Sequence, residues 1–294
     1  QSELKLPDAF SVVNPNRYDD KSKLNYLCAA GVCFMFLIAL NKKLRDDKWF
    51  VKNKISEPQL MNYLDLVSLG TVCDVVPLVG LNRAIVSQGL EILKKRLNLG
   101  IKTLKNVCGI EANLNTYHLG YVIGPRINAG GRVGKSSHGA NLLLSKDAKE
   151  IFKIATELDA FNKQRKSIEN DMLKKIENSI IIDEKEPIIF LSGHNWHGGI
   201  IGIIASRLKD KYNKPAIIIS VEKGLGRASA RSIAGFDIGT LIINGVQKNI
   251  LRKGGGHKMA GGFSIEEKKI QEFKEFIVKK FIKFQKTFSK SNIL

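Results

Sequence analysis

A long stretch without glycine or proline near the middle of the chain constrains the fold more than any other feature. From Ser145 to Ile180 apolar residues recur mostly at steps of three and four, and the opposite face is charged, which predicts an amphipathic helix. An isolated helix of this length most often joins two domains. In the 294-residue chain we therefore expect a first domain over residues 1–144, a connecting helix over 145–180 and a second domain over 181–294. The apolar positions are Ile151, Ile154, Leu158, Phe161, Ile168, Met172 and Ile176.

Beyond the long helix, predicted strands alternate with predicted helices. This alternation indicates an α/β domain with a mixed sheet. The predicted strands are Pro187–Ser192, Pro215–Ser220, Gly226–Ile233 and one that opens at Gly261–Ile265, and the predicted helices are Gly198–Tyr212 and Ile238–Val246.

The first domain reads as one short strand followed by helices. The strand is predicted at Ser11–Pro15, and two later helices around Pro58–Leu69 and Leu81–Leu97. The apolar stretch Leu24–Leu40 has 17 residues and contains Asn25, whereas a membrane span usually needs about 20 apolar residues. We therefore expect a buried helix there and no contact with a membrane interior.

Charge and cysteine content narrow the class of protein. There are 47 Lys and Arg against 28 Asp and Glu, which gives a net charge of +19 and favours a polyanion such as nucleic acid as the partner. The four cysteines form no CxxC pair, so they are interpreted as small core residues of a protein in a reducing compartment, predicted to be the cytoplasm. They are Cys28, Cys33, Cys73 and Cys108.

Two motifs of the first domain could carry chemistry. LGTVCDVVPL places one carboxylate, Asp74, in an apolar stretch, where it is either a helix cap or a ligand to a hard cation. GPRINAGGR places Arg126 and Arg132 around Asn128 and two adjacent glycines. We expect a tight turn that presents both guanidinium groups to phosphate; the alternative is a surface turn with solvated arginines.

Three motifs of the second domain combine glycine with cations or histidine. WHGGIIGIIASRL resembles an anion-binding helix start with His197 at its edge and Arg207 further along, although its glycines could also serve helix–sheet packing. In GRASARS, strand spacing places Arg227, Ser229 and Arg231 on one face, which indicates phosphate contact more than an exposed edge strand. GGGHKMAGGF holds five glycines and His257; it is either a chance glycine loop or a place where a ligand approaches the main chain.

The five motifs occur in an order that resembles the RecJ family, single-strand-specific 5′→3′ DNA exonucleases of the DHH phosphoesterase superfamily. The resemblance runs from about Leu6 to Phe276. It implies that the first half is the later part of a DHH domain and that the second half is a DHH-associated domain. It also implies single-stranded DNA as substrate, with single-strand binding protein and a RecQ-type helicase as candidate partners.

The resemblance assigns roles to individual residues. Two Mn²⁺ or Mg²⁺ ions would activate a water, with Asp74 as one metal ligand and Arg126 and Arg132 near the scissile phosphate. His257 would line the same cleft. The remaining residues with an implied phosphate contact are Asn128, His197, Arg207, Arg227, Ser229, Arg231, Gly255 and Gly256.

The sequence also departs from the family. It contains no Asp-His-His and no DxD, and none of its five histidines adjoins an aspartate. We expect the chain to start just after the Asp-His-His motif and to stop before an OB-fold domain. Two other functions remain open: a nucleic-acid-binding module without catalysis, as a remnant or as partner of a separate N-terminal chain, and a DHH phosphodiesterase acting on oligoribonucleotides or cyclic dinucleotides.

Overall fold

The computed structural model describes residues 7–95, 98–179 and 186–291, with side chains described outside 177–179 and 286–291. The chain divides into two compact units, and the boundary between them falls between Lys163 and Gln164. Each unit has its own hydrophobic core. The structure is mixed α/β, as the sequence predicts.

The described part of the first unit is helical. A 3₁₀ turn at Leu60–Tyr63 precedes the third helix, and a π-helical segment at His118–Ile123 runs directly into the sixth. The helices are α1 (Ala29–Asp46), α2 (Trp49–Lys52), α3 (Leu64–Cys73), α4 (Gly80–Lys95), α5 (Leu99–Val107), α6 (Gly124–Val133), α7 (His138–Leu144) and the first half of α8 (Ala148–Ser179).

Helix α3 lies at the centre of the packing in this unit. It contacts α1 and α4, and most of its side chains are buried. A Cβ added at Gly89 of α4 would lie 2.3 Å from the carbonyl oxygen of Leu64. The absence of a side chain at Gly89 therefore allows α4 to approach the α3 backbone closely. Helix α3 ends at the candidate residue Asp74, its C-cap.

Two expectations for the first unit are wrong. Ser11–Asn14 have no regular secondary structure, because the backbone groups are satisfied locally: the Val12 carbonyl accepts from Arg17 Nη1 at 2.9 Å. Helix α1 is not buried, since Phe36 is 52% exposed while Phe34 is 5% exposed. Its apolar residues surround the helix, but only one side meets α3. Among the described residues no helix combines the length and apolar character of a membrane span.

The second unit contains a five-stranded mixed sheet in the order β1-β2-β3-β5-β4. β1 and β2 are parallel and the other neighbours are antiparallel. A 3₁₀ turn at Glu267–Lys269 follows the last strand. The elements are β1 (Ile189–His194), α9 (Ile201–Tyr212), β2 (Ala216–Glu222), β3 (Leu225–Arg231), α10 (Ile238–Gln247), β4 (Lys253–His257), β5 (Ala260–Glu266) and α11 (Ile270–Ser291).

The two faces of this sheet differ. On one face, Ala228 and Ala230 of β3 join a core that includes Phe273 and Ile277 of α11 and Ile242 of α10. Burial of one such large side chain contributes about 1.5–3 kcal/mol. Helix α9 packs on β2 and β3, on the face that carries the polar side chains of β3.

The long central helix is confirmed as α8, which spans Ala148–Ser179. Asp147 caps its start, because its Oδ1 accepts from the Lys149 amide at 2.9 Å. The boundary between the two compact units falls inside α8, so each half of the helix belongs to a different unit. The domain limits proposed from the sequence stay predictions.

Candidate nucleic-acid and phosphate sites

The polar face of β3 carries Arg227, Ser229 and Arg231, as the strand spacing predicts. Burial alternates along the strand, with Gly226, Ala228 and Ala230 buried between them. Arg231 Nη1 donates to Ser229 Oγ at 3.1 Å and to the Ala230 carbonyl at 2.9 Å. The hydroxyl and the guanidinium group are therefore already held together.

Gly202 of α9 explains how this pair fits under the helix. A Cβ at Gly202 would lie 3.0 Å from Ser229 Oγ and 3.2 Å from Arg231 Nη2. The glycine thus allows α9 to pack closely on the polar face of β3. At Gly198, before the helix begins, an added Cβ would meet nothing within 4 Å. Gly202 therefore serves packing, whereas Gly198 leaves space for a ligand.

Arg207 of α9 is held by an acidic residue of α8. Its Nε donates to Glu169 Oε1 at 2.7 Å, while its side chain is 63% exposed. Neither Nη nitrogen bonds another described residue, so both are available to an anion.

Two of the three histidines of the second unit, His197 and His257, have the same local arrangement. His197 Nδ1 accepts the amide of Gly199 at 3.2 Å, and His257 Nδ1 accepts the amide of Met259 at 3.3 Å. Both residues are exposed. With Nδ1 as acceptor, the neutral ring carries its proton on Nε2. Each histidine can therefore donate an exposed hydrogen bond to a phosphate oxygen.

The GGGH motif forms β4, an edge strand. An added Cβ at Gly256 would lie 2.3 Å from the Ala260 carbonyl oxygen, and one at Gly254 would lie 2.7 Å from Phe263 Cβ. At Gly255 it would meet nothing within 4 Å. Packing therefore explains Gly254 and Gly256, and only Gly255 leaves room for a ligand.

Asp74 is the C-terminal cap of α3 and is exposed, which agrees with the helix-cap alternative, while its role as a cation ligand stays a prediction. The apolar residues before Asp74 belong to α3, whereas Val75, Leu78 and Val79 after it are exposed. The backbone N–H of Asp74 donates to the Gly70 carbonyl at 3.0 Å, whereas its carboxylate makes no hydrogen bond or ion pair with another described residue. A carboxylate at a helix C-terminus meets the negative end of the helix dipole, and a bound cation would offset this cost.

The residue after Asp74 has a strained backbone. Val75 has a φ of 57°, the left-handed region in which a β-branched residue is a genuine outlier. Helices commonly end with such a residue, but it is usually glycine. Strain of this kind clusters at functional sites, which supports a role for the end of α3.

The motif GPRINAGGR forms helix α6 and not a tight turn, so that prediction is wrong. Two of its glycines serve close packing: a Cβ at Gly124 would lie 2.4 Å from Cys73 Sγ, and one at Gly130 would lie 2.9 Å from the Lys135 carbonyl oxygen, whereas one at Gly131 would meet nothing within 4 Å. Asn128 and Arg132 are exposed and four residues apart, so they share one face of the helix.

Arg126 does not face solvent with them. Its Nε donates to Asp159 Oδ1 and its Nη1 to the Val122 carbonyl, each at 2.8 Å. Burial alone would raise the pKa of Asp159, but hydrogen bonds and charge from Lys163 and Arg126 bring this pKa below its ordinary value. Arg126 is therefore fixed as one half of an ion pair in the first unit.

Sequence reasoning missed Asp159 and Glu169. Both are buried. A signal existed for Glu169, because steps of four from Phe161 lead through Arg165 to Glu169 before apolar residues resume at Met172. Charged residues on the apolar stripe of a helix indicate buried ion pairs.

Two further findings concern metals and thiols. In residues 7–95, 98–179 and 186–291, no group of three or more His, Cys, Asp or Glu is placed to hold a metal ion. All four cysteines are free. Cys33 is exposed, so the expectation that the cysteines are core residues is wrong at this position.

The second unit is of a known class. Residues 185–283 match the DHHA1 domain, and this range covers the mixed sheet together with the polar face of β3, Arg207, His197 and His257. The chain is thus a protein with a DHHA1 domain.

The full chain resembles one group of such proteins. It is 38% identical over 283 residues to the single-stranded-DNA-specific exonuclease RecJ of Salmonella typhimurium, with 92% of this chain and 48% of that protein covered. It is 37% identical to the RecJ of Escherichia coli, with 92% and 48% covered. The crystal structure of RecJ from Thermus thermophilus with Mn²⁺ has a TM-score of 0.73 at 30% identity, covering 86% of this chain and 36% of that one. Over 92% of its length the chain is similar to these RecJ proteins, and it spans about half the length of the curated relatives it matches.

Proposed function

We propose that the chain acts in RecJ-type 5′→3′ degradation of single-stranded DNA and that its second unit binds the phosphate at the 5′ end. The observation that carries the proposal is the polar face of β3, where Arg231 Nη1 donates to Ser229 Oγ at 3.1 Å beside Arg227. A terminal phosphate monoester offers more anionic oxygens than an internal diester, and a guanidinium group with a hydroxyl suits it. The net charge of +19 supports a polyanionic ligand.

Other residues of the second unit supply contacts to the adjacent backbone. Arg207 offers two Nη nitrogens, and His197 and His257 each offer an exposed Nε2 donor. Gly255 leaves main chain open to a ligand. Single-strand binding protein and a RecQ-type helicase are proposed as protein partners on the family resemblance alone.

In the first unit we assign Asp74 as a ligand to Mn²⁺ or Mg²⁺, and Asn128 and Arg132 as contacts to phosphate. The exposed carboxylate at the end of α3 and the strain at Val75 support the assignment of Asp74. Arg126 contributes by fixing α6 against Asp159. A two-metal site needs ligands around ions about 3.5–4 Å apart. The described residues do not fit such a site by themselves, because Asp74 is their single matching carboxylate.

This shortage of ligands favours a second candidate function, nucleic-acid binding without hydrolysis by the chain alone. The β3 face and Arg207 would then bind single-stranded DNA while hydrolysis depends on additional ligands. Both candidates require the same phosphate contacts in the second unit, so binding is the property to test first.

The test compares two oligonucleotides that differ only at the 5′ end. We expect Arg231→Ala to reduce the affinity for a 5′-phosphorylated single strand more than tenfold, about 1.4 kcal/mol, with a much smaller loss for the 5′-hydroxyl strand. Lys279→Ala is the matched control, because Lys279 is exposed on α11, which packs on the opposite face of the sheet. Fluorescence anisotropy measures both affinities.

Each result has a defined meaning. Equal losses on the two strands would make Arg231 a general backbone contact and would refute end recognition. An unchanged affinity on both would remove the β3 face from the binding site. A loss for Lys279→Ala as large as that for Arg231→Ala would indicate nonspecific cationic attraction.

A further inference from the structure

The carboxylate of Glu169 is almost completely enclosed yet bonded on both oxygens. Glu169 is 1% exposed. Its Oε1 accepts from Arg207 Nε and its Oε2 from Arg165 Nη1, each at 2.7 Å. One acidic side chain of α8 therefore holds two arginines, one on its own helix and one on α9.

These two arginines differ in their surroundings. The Arg165 side chain is 12% exposed, and its charge offsets that of Glu169 inside the protein. The Arg207 side chain is 63% exposed, so water could solvate it without Glu169. A surface arginine needs no buried carboxylate for stability, and a buried ion pair is weak evidence for stability. The contact between Glu169 and Arg207 thus requires another explanation.

The contact point on Arg207 supplies that explanation. The guanidinium group is planar with donors in a fixed geometry. Because Glu169 binds Nε, the plane is fixed, and the edge of the guanidinium group that Nη1 and Nη2 form together stays open to an anion. Fixing a flexible side chain before a ligand arrives reduces the ordering cost of binding. We propose that Glu169 is a positioning residue, which orients Arg207 so that both Nη nitrogens meet a phosphate of the DNA backbone. This inference rests on the proposed function of the second unit.

Charge and orientation predict opposite effects when Glu169 is replaced. Glu169→Gln removes a negative charge near the DNA, so electrostatics alone would tighten binding. Loss of orientation would weaken it instead. We expect Glu169→Gln to weaken binding of a 5′-phosphorylated single strand about tenfold. Asp171→Asn is the matched control, because this exposed residue of the same helix loses the same charge without touching Arg207, and it should leave the affinity unchanged or slightly higher.

A double-mutant cycle tests whether Glu169 acts through Arg207. Arg207→Ala should weaken binding, and Glu169→Gln should have no further effect in the Arg207→Ala background. Arg207→Lys should be as weak as Arg207→Ala, because a lysine ammonium that pairs with Glu169 lacks the planar fork that binds a phosphate bidentately. Arg207 is largely exposed, so these two variants test the proposal even where Glu169→Gln lowers the thermal unfolding temperature.

The outcomes separate this inference from the proposed function. Unchanged binding in Arg207→Ala would remove Arg207 from the phosphate site and refute both. A loss for Arg207→Ala with wild-type binding for Glu169→Gln would keep the site and refute the positioning role. A loss for Glu169→Gln that persists in full in the Arg207→Ala background would also refute it. Wild-type affinity for Arg207→Lys would show that a positive charge at this position is sufficient for binding, and it would refute the positioning role.

Discussion

Asp159 Oδ1 accepts from Arg126 Nε at 2.8 Å, and this ion pair links α8 to α6 in the first unit. The second carboxylate oxygen of Asp159 pairs with Lys163 Nζ at 2.9 Å. The same helix holds Arg207 of the second unit through Glu169. In both cases a buried acidic residue of α8 binds the Nε of an arginine that the sequence motifs single out. Helix α8 therefore sets the orientation of basic residues in each unit.

Asp159→Asn should lower stability in a pH-dependent way. The folded-state pKa of Asp159 lies below its ordinary value, so its ionised form stabilises the fold above the unfolded pKa of about 3.9. That contribution is lost as the pH falls through the folded pKa. At pH 7 we expect a loss of about 1–3 kcal/mol in the free energy of unfolding, and a shrinking difference from the wild type below about pH 5.

Urea unfolding of both proteins across this pH range measures the effect. Glu91→Gln is the control, since Glu91 forms an exposed pair with Lys94 and such pairs contribute little. A difference for Asp159→Asn that stays constant down to pH 3 would contradict the ionic origin of the effect.

Val75→Gly should stabilise the protein. Glycine adopts the left-handed conformation without the cost of a β-branched side chain, and Val75 is 87% exposed, so little burial is lost. We expect the free energy of unfolding to rise by about 0.5–1 kcal/mol. Val79→Gly, also at an exposed position but without a positive φ, should lower stability instead. If both substitutions lower it equally, the backbone at Val75 is not strained.

Two adjacent glycines of β4 should respond differently to alanine. Gly256→Ala places a Cβ 2.3 Å from the Ala260 carbonyl oxygen, and the required shift should cost about 1–3 kcal/mol. Gly255→Ala meets open space and should change stability by less than about 0.5 kcal/mol. If Gly255 faces the DNA, its alanine variant should still lose affinity for single strands. Equal destabilisation by both variants would contradict the packing of β4.

Whether the sequence predicts a feature depends on how far apart in sequence the interacting residues lie. The face of β3 and the helix α8 depend on periodicity within one element, and the sequence predicts both. The pairs Arg126–Asp159 and Arg207–Glu169 join residues 33 and 38 positions apart, so no local pattern shows them. The sequence predicts a turn where α6 lies, because adjacent glycines are typical of turns and the contact between Gly124 and Cys73 leaves no local pattern.

The reactivity of two cysteines should differ strongly. Burial, with a smaller contribution from the Asp74 charge, raises the pKa of the Cys73 thiol to about 11. At pH 8 only about one molecule in a thousand then carries the reactive thiolate. Cys33 is exposed and should be alkylated by iodoacetamide at least ten times faster. Mass spectrometry of the digested protein at successive times measures both alkylation rates. Similar rates would show that the Cys73 thiol is accessible and that its pKa is not raised.

The chain alone should bind single-stranded DNA but hydrolyse it slowly or not at all. Its described residues match a two-metal site through Asp74 only, whereas the basic second unit supplies phosphate contacts. Release of nucleotides from a 5′-phosphorylated single strand with Mn²⁺ measures hydrolysis, and Asp74→Ala tests the dependence on that carboxylate. The logarithm of the binding constant should fall linearly with the logarithm of the salt concentration, with a slope near −0.7 for each phosphate neutralised. Robust hydrolysis that Asp74→Ala abolishes would show that other residues of this chain complete the site. An affinity that does not change between low and moderate salt would show that the excess of basic residues does not form the binding surface.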